Sequence, residues 1–186
     1  MVFDIFTLVE GFWILIPAWA ANGFAPLAKF TPGRHHIDGG RTFRGKPLLG
    51  AGKTWEGLLV GVVAAILVAL FEQSMFPFLP WELSEQVHGV TLNIVPMSAL
   101  LGFLLGLGSM AGDITASFLK RQIGLARGRA APILDQDDFI IGALLFASLL
   151  VAVEISWAIL YLILTPAAHW IASFCGYKLK IKNEPW

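Results

Sequence analysis

The sequence predicts an all-α, polytopic membrane protein with about five transmembrane helices, and three observations support this prediction. Of its 186 residues, 56% are hydrophobic and only 14% are charged, well below the roughly 25% typical of soluble domains. Several apolar runs approach the about 20 residues that a helix needs to cross the hydrocarbon of a bilayer. The basic residues are gathered mainly in two of the segments that connect these runs. An ordinary soluble fold is therefore excluded.

Three apolar runs predict the first three helices, approximately over residues 3–27, 55–76 and 95–111. The apolar stretch 139–175 is long enough for one tilted helix or for two shorter ones. A single crossing would leave the Lys-rich tail 178–182 on the side opposite the other basic segments, against the positive-inside rule. Two crossings, approximately 138–154 and 156–175, keep the basic residues on one side.

The distribution of charge predicts the orientation. Ten of the 13 Lys and Arg residues fall in two predicted cytosolic loops, approximately 28–54 and 112–137, whereas the connection between the second and third helices carries acidic residues only. We expect one integral membrane domain over residues 1–186 in the cell membrane, with the N-terminus outside and the C-terminus cytosolic. Because basic and acidic residues balance, no bulk charge favours a nucleic-acid partner, and none is expected.

Three pairs of glycines are spaced four residues apart, which lets neighbouring helix backbones approach closely. The pairs are Gly57 with Gly61, Gly102 with Gly106, and Gly108 with Gly112. This spacing favours close helix packing, either within the chain or in a homodimer.

A polar face marks the end of the third predicted helix. If that helix continues beyond the membrane, four side chains share one side of it: Asp113, Ser117, Lys120 and Arg121. A carboxylate can ligate Mg²⁺ while cations neutralise phosphoryl oxygens, so this face suits a magnesium-bound phosphate. The alternative for Lys120 and Arg121 is a positive-inside pair that reaches the membrane surface.

The fourth predicted helix opens with three carboxylates in four residues, Asp135, Asp137 and Asp138. Capping explains one acidic residue at a helix start, and the helix dipole favours others there. Three such groups repel one another, and a divalent cation would relieve that repulsion. We therefore predict that Asp113, Asp135 and Asp138 are ligands of Mg²⁺.

The loop before the second helix contains a glycine-punctuated basic segment that fits phosphate binding. Gly52, Lys53 and Thr54 would bring backbone N–H groups, an ammonium group and a helix N-terminus to a phosphate. The segment is not a Walker A motif, because Pro47 stands where that motif needs Gly and no predicted strand leads into it.

Three further polar residues are candidates for substrate binding. Asn22 lies within the first predicted span, where a polar group needs a partner. Asp38 and Glu56 are acidic residues of the basic first loop. Each is either a local salt-bridge partner or part of the site.

The chain resembles a known group of membrane enzymes. From Gly112-Asp113 to Asp138-Phe139 it is similar to the CDP-diglyceride synthases. The resemblance to their archaeal branch, the CDP-archaeol synthases, is closer and spans nearly the whole chain. The shared patterns are Asp38-Gly-Gly, Phe43-x-Gly45, Gly50-x-Gly52-Lys53-Thr54-Trp55-x-Gly57 and Pro132-x-x-Asp135-Gln136-x-Asp138-Phe139.

The resemblance implies Mg²⁺-dependent transfer of a cytidylyl group from CTP to 2,3-di-O-geranylgeranylglyceryl phosphate, an isoprenoid ether-lipid phosphate of the membrane, with release of pyrophosphate. The residues expected to carry this chemistry are Lys53, Asp113, Lys120, Arg121, Asp135 and Asp138. Those expected to bind the substrates or support their binding are Asn22, Asp38, Gly52, Lys53, Thr54, Glu56, Ser117, Lys120 and Arg121.

Two other functions fit parts of the sequence. The run Asp38-Gly-Gly-Arg41 superficially resembles the opening of the CDP-alcohol phosphotransferases, but the spaced aspartates that this family requires do not follow it. A small transporter or anion-binding membrane protein would place its polar residues near the bilayer midplane, whereas here they cluster at helix ends and in loops.

Overall fold

The computed structural model describes residues 5–79, 92, 94–126, 131 and 134–178. As predicted, this part of the chain is mostly helical, and its five α-helices are α1 (Ile5–Phe24), α2 (Trp55–Met75), α3 (Ala99–Gln122), α4 (Leu134–Ala147) and α5 (Ile155–Lys178). Two 3-10 helices follow α1 and α2, over Ala25–Phe30 and Phe76–Phe78. A short antiparallel hairpin, which the sequence did not predict, pairs β1 (Thr42–Phe43) with β2 (Lys46–Pro47).

Three helical segments of the described residues are long and apolar enough to cross a membrane: Ile5–Phe30, Trp55–Phe78 and Ala99–Gln122. Large apolar side chains are exposed along α2, among them Leu59, Val63 and Leu67, as expected for a helix that faces lipid. In contrast, α4 has 14 residues and is about 21 Å long, short of the about 30 Å of hydrocarbon. The predicted membrane character is confirmed.

The C-terminal ends of α1 and α3 differ from the prediction. The predicted first helix, 3–27, gives way to the first 3-10 helix at Ala25, because Pro26 lacks an N–H and disfavours a continuing α-helix. The third helix does not end near 111 but runs to Gln122. The beginning of the predicted loop 112–137 is therefore helical, and the polar face predicted on it exists.

The division of the last apolar stretch also differs from the prediction. The fourth helix covers Leu134–Ala147 instead of 138–154, and the fifth covers Ile155–Lys178 instead of 156–175. At the end of α4, the N–H groups of Leu149 and Leu150 bond to carbonyls three residues back, a tightening that is common where helices end. The connection between α4 and α5 therefore begins earlier than predicted.

The glycine pairs serve packing inside the chain. A methyl group on Gly102 or Gly106 would overlap α2, and one on Gly108 or Gly112 would overlap the backbone of α4. A methyl group on Gly61 would overlap both α1 and α3, and one on Gly57 would lie 3.7 Å from the carbonyl oxygen of Ala25. The faces predicted to pack within the chain or in a homodimer are filled by the chain itself, so a homodimer would need other surfaces.

The bundle has two ends, which we call the loop end, where α1 finishes and α2 begins, and the opposite end. In the first half of α1, toward the opposite end, the buried Glu10 carboxylate accepts a hydrogen bond of 3.0 Å from the indole N–H of Trp157 on α5. The Tyr161 hydroxyl donates to the carbonyl of Leu8 at 2.6 Å. Glu72, near the end of α2, is 3% exposed, and neither of its carboxylate oxygens has a hydrogen-bond partner among the described residues.

Candidate active site

The glycine-punctuated loop between α1 and α2 folds back on the start of α2. The N–H of Ile37 donates to the carbonyl of Lys53 at 3.0 Å. The Thr54 hydroxyl accepts a bond of 3.1 Å from the N–H of Gly57 and is the N-cap of α2. Lys53 is thereby fixed directly before the helix, with its side chain directed away from the loop backbone toward α3.

Asp38 organises the middle of this loop. Its buried carboxylate accepts hydrogen bonds from the backbone N–H groups of Gly40 at 2.9 Å, Leu49 at 3.0 Å and Gly50 at 3.2 Å. Burial alone would raise the pKa of Asp38, but these three donors and the nearby His36 lower that pKa below its ordinary value. Asp38 therefore stays ionised and holds the two sides of the loop together.

Glu56 fastens the beginning of the same loop. Its carboxylate accepts a hydrogen bond of 3.1 Å from the backbone N–H of His35 and lies 2.5 Å from Nδ1 of that residue. Neither Glu56 nor Asp38 lines the cavity between the loop and the helices. Loop donors occupy the oxygens of both residues, so both stabilise the fold of the loop; their support of substrate binding stays a prediction.

A cavity of about 280 Å³ lies between the first 3-10 helix, the loop and α3. Five of the predicted residues line it: Asn22, Gly52, Lys53, Thr54 and Asp113. Lys29 and Arg34 line it too, although sequence reasoning treated them only as loop charges that indicate orientation.

Within the cavity, the ammonium group of Lys53 lies 2.5 Å from the carboxylate of Asp113. This ion pair joins the loop to α3, and its two side chains are 24% and 23% exposed. A partly exposed pair of this kind contributes only about 0–1 kcal/mol to stability. A phosphate can therefore take Lys53 as a partner, and a cation can take Asp113, with little loss of folding free energy.

A second cluster lies where α3 ends and α4 begins. Lys120 donates to one carboxylate oxygen of Asp135, and the other oxygen accepts a bond of 2.9 Å from the N–H of Ala131. Ser117 is buried on the same helix as Lys120. Arg121 follows, and its Nε is buried with no hydrogen-bond partner among the described residues. An anion such as a phosphate would satisfy that donor.

The two clusters meet at Asp138. A methyl group on Gly112 would overlap the carbonyl oxygen of Asp138, so the first turn of α4 lies directly against α3 beside Asp113. The Asp138 carboxylate is buried and lies within electrostatic range of Asp113, Lys120 and Lys53. Two carboxylates and two ammonium groups from three elements therefore form one charged site.

The β-hairpin holds this arrangement in place, a role that sequence reasoning missed. Lys46 donates to the carbonyl of Gln122 at the end of α3. A cation at a helix C-terminus also interacts favourably with the helix dipole. The rings of Phe43 and Phe118 lie 6.2 Å apart, between the hairpin and α3. A basic residue in a loop gives no sequence signal for a partner 76 positions away, so this contact could not have been predicted.

The donor chemistry of the site fits Mg²⁺. Carboxylate oxygens are its preferred protein ligands, and it is usually held by one or two carboxylates together with substrate phosphates. Asp113 and Asp138 supply such a pair. Among the described residues, no three Asp, Glu, His or Cys side chains converge as a ready-made metal site. Asp135, the third predicted ligand, is engaged by Lys120 and Ala131.

Paired lysines and carboxylates at the helix ends of a membrane protein, one pair of them lining a cavity, are the features expected of an intramembrane enzyme that acts on phosphate-bearing substrates. Comparison with known proteins specifies the family. The family model CarS-like, CDP-archaeol synthase, matches residues 2–186. The chain belongs to this family. Pro132, which completes one of its shared patterns, lies outside the described residues.

Individual relatives agree with this assignment. CDP-archaeol synthase of Halobacterium salinarum is 38% identical, with 97% of each chain covered. The enzyme of the same name from Methanopyrus kandleri is 41% identical over 96% of this chain and 94% of its own. A solved structure, described as an intramembrane enzyme for archaeal membrane lipid biosynthesis, matches with a TM-score of 0.69 and 31% identity, over 88% of this chain and 92% of that chain.

Proposed function

We propose that this protein is a CTP-dependent lipid-phosphate cytidylyltransferase. It transfers a cytidylyl group from CTP to an isoprenoid ether-lipid phosphate, 2,3-di-O-geranylgeranylglyceryl phosphate, and yields CDP-archaeol and pyrophosphate. The observation that carries this proposal is the convergence of the glycine-punctuated loop with the ends of α3 and α4. These segments hold the sequence patterns shared with the family, and Lys53 and Asp113 join them at 2.5 Å.

The reaction needs charge neutralisation more than proton transfer. An oxygen of the lipid phosphate attacks the α-phosphorus of CTP, a new P–O bond forms, and the bond from the α-phosphorus to the bridging oxygen breaks as pyrophosphate leaves. The attacking phosphate is already ionised, so no general base is required. The basic side chains would bind phosphoryl oxygens and reduce the repulsion between two anionic substrates. They are Lys53, Lys120 and Arg121.

The carboxylates have separate roles in this proposal. Asp113 and Asp138 would hold Mg²⁺, and Asp135 orients Lys120 through their hydrogen bond. When bound, Mg²⁺ supplies positive charge at the phosphates. Asn22, Gly52 and Thr54 offer polar groups along the cavity, and Ser117 supports the polar face of α3.

The same proposal includes the orientation of the protein. We place the loop and the α3–α4 connection on the cytosolic side of the cell membrane, where CTP is available, with the N-terminus outside and the C-terminus cytosolic. Support comes from the basic residues, since Lys46 and Lys53 of the first loop contact α3 at one end of the bundle. Five helices enter the membrane, and α4, which ends at Ala147, spans only part of its thickness.

A turnover assay tests the function. Purified protein in detergent is incubated with radiolabelled CTP, Mg²⁺ and the geranylgeranyl lipid phosphate, and both pyrophosphate and labelled CDP-lipid are measured. We expect both products in equal amounts, and none when Mg²⁺ is chelated. A folded protein that forms neither product would refute the proposal. A protein that consumes CDP-lipid and an alcohol would instead be a CDP-alcohol phosphotransferase.

A further inference from the structure

The first 3-10 helix separates the cavity from the surroundings of the bundle. A 3-10 helix has three residues per turn, so side chains three apart lie above one another. Ala25 and Ala28 form one such row and line the cavity. Leu27 and Phe30 form another row, which Phe24 at the end of α1 continues, and these three side chains are 45%, 75% and 50% exposed. One face of this helix therefore meets the cavity while another presents apolar side chains outward.

The outward row lies at the end of a segment that is apolar enough to cross the membrane. That segment runs from Ile5 to Phe30 and so includes the whole 3-10 helix. Exposed aromatic and aliphatic side chains at this level are more favourable in the acyl chains or headgroups of a bilayer than in water. On this basis we assign the outward row to the lipid-facing surface of the protein.

The cavity itself is amphipathic. Leu58, Met110 and Ile114 contribute apolar surface to it. Lys29 and Arg34 contribute two cations, and among the described residues neither is paired with a carboxylate. Nζ of Lys29 lies 4.8 Å from the centre of the Phe30 ring, so this ammonium group stands at the junction between the cavity and the lipid-facing row.

We propose that Lys29 and Arg34 bind the phosphate of the lipid substrate, and that the lipid reaches the cavity past the row formed by Phe24, Leu27 and Phe30. This inference rests on the proposed function and assigns the two substrates to different parts of the site. A lipid phosphate needs cations beside an apolar surface in contact with the membrane, and the cavity offers both. The triphosphate of CTP carries more charge and no apolar chain, so it takes the Lys120 and Arg121 side of the site.

Steady-state kinetics with each substrate varied in turn tests this assignment. We expect Lys29→Gln and Arg34→Gln each to raise the KM for lipid phosphate about tenfold, since a charge-assisted hydrogen bond is lost. The KM for CTP and the turnover at saturating lipid should stay within about threefold. Lys29→Arg, which keeps the charge, should restore most of the affinity for lipid phosphate.

Arg41→Gln is the matched control, because Arg41 is an exposed cation of the same loop that does not line the cavity. It should leave both KM values unchanged. An equal rise of the two KM values in Lys29→Gln would assign this cation to general anion binding and overturn the proposal. Unchanged KM values in both cavity variants would also overturn it.

A binding measurement separates this inference from the proposed function. Equilibrium binding of the lipid phosphate and of CTP is measured with detergent-solubilised protein, without turnover. If the wild-type protein formed no CDP-lipid but bound lipid phosphate in a Lys29-dependent manner, the proposed reaction would be refuted and the lipid-phosphate subsite would be supported. If Lys29→Gln bound lipid phosphate as tightly as the wild type, the subsite would fail whatever the turnover.

Discussion

The two ends of the helical bundle hold their charged side chains in different ways. At the loop end, Lys53 and Lys120 each form a partly exposed ion pair with an aspartate, and the pair of Lys53 with Asp113 lines the cavity. Toward the opposite end, Glu10 is buried and bonded to the Trp157 indole. Glu72 is buried as well, with neither carboxylate oxygen bonded within the described residues.

This difference separates residues that exchange partners from residues that hold helices together. A partly exposed ion pair contributes about 0–1 kcal/mol, so a ligand can replace either member with little loss of stability. A buried hydrogen bond to a charged group contributes about 1.5–3 kcal/mol and is not replaced without cost. Substitutions at the loop end should therefore change turnover more than stability, and substitutions toward the opposite end should do the reverse.

The largest expected effect is at Asp138, where the two charged clusters meet. Asp138→Asn removes a carboxylate from the proposed Mg²⁺ pair while keeping the size of the side chain. We expect cytidylyl transfer to fall about 10³-fold, with an unfolding temperature close to that of the wild type. Glu154→Gln is the control, because Glu154 is an exposed carboxylate in the connection between α4 and α5 and should retain turnover. Retained turnover in Asp138→Asn would remove that carboxylate from the site.

Gly112 tests whether close contact of α3 with α4 sets the distance between Asp113 and Asp138. In Gly112→Ala the added methyl group would overlap the carbonyl of Asp138, and the helices must move apart. A misplacement of about 1 Å can cost about 10²-fold in rate, and overpacking costs about 1–3 kcal/mol. Gly23→Ala is the control, because its methyl group would meet nothing within 4 Å. Unchanged turnover in Gly112→Ala would show that the site tolerates separation of these helices.

The sequence predicted the helical membrane fold because that prediction depends on local composition. It also placed Asp113 and Lys120 on one helix face, since residues seven apart, about two turns, lie on the same side of a helix. It could not predict the β-hairpin, whose strands are two residues long and whose Arg44 and Gly45 have positive φ angles of 52° and 77°, as a two-residue hairpin turn requires.

Roles that depend on distant partners were beyond sequence reasoning. Asp38 and Glu56 are acidic residues in a basic loop, a pattern equally consistent with substrate binding. Only the fold shows that their oxygens accept backbone N–H groups of the loop. In the same way, the pairing of Lys53 with Asp113 joins residues 60 positions apart. Sequence identified the charged residues, and tertiary contacts decided which of them meet.

Trp157 tests the opposite end of the bundle, where a substitution should change stability more than turnover. Trp157→Phe removes the indole donor to Glu10 and should lower the unfolding temperature in detergent by about 5 °C. Turnover measured well below that temperature should stay within about twofold, because Trp157 is remote from the cavity. Trp170→Phe provides a matched control on the same helix, since Trp170 is largely exposed and should leave stability unchanged. A loss of turnover without a loss of stability would contradict the proposed division between the two ends.

Glu72 is expected to give the smallest effect, and its sign is informative. A buried carboxylate without hydrogen bonds destabilises the folded state, because burial removes water that nothing replaces. Glu72→Met removes both oxygens and keeps a similar side-chain length, so the unfolding temperature should rise by about 2–4 °C. Gln73→Met, at the neighbouring exposed position, should leave that temperature unchanged. A clear fall of the unfolding temperature in Glu72→Met would mean that the carboxylate has a stabilising partner. The opposite end of the bundle would then hold its charged groups in pairs, as the loop end does.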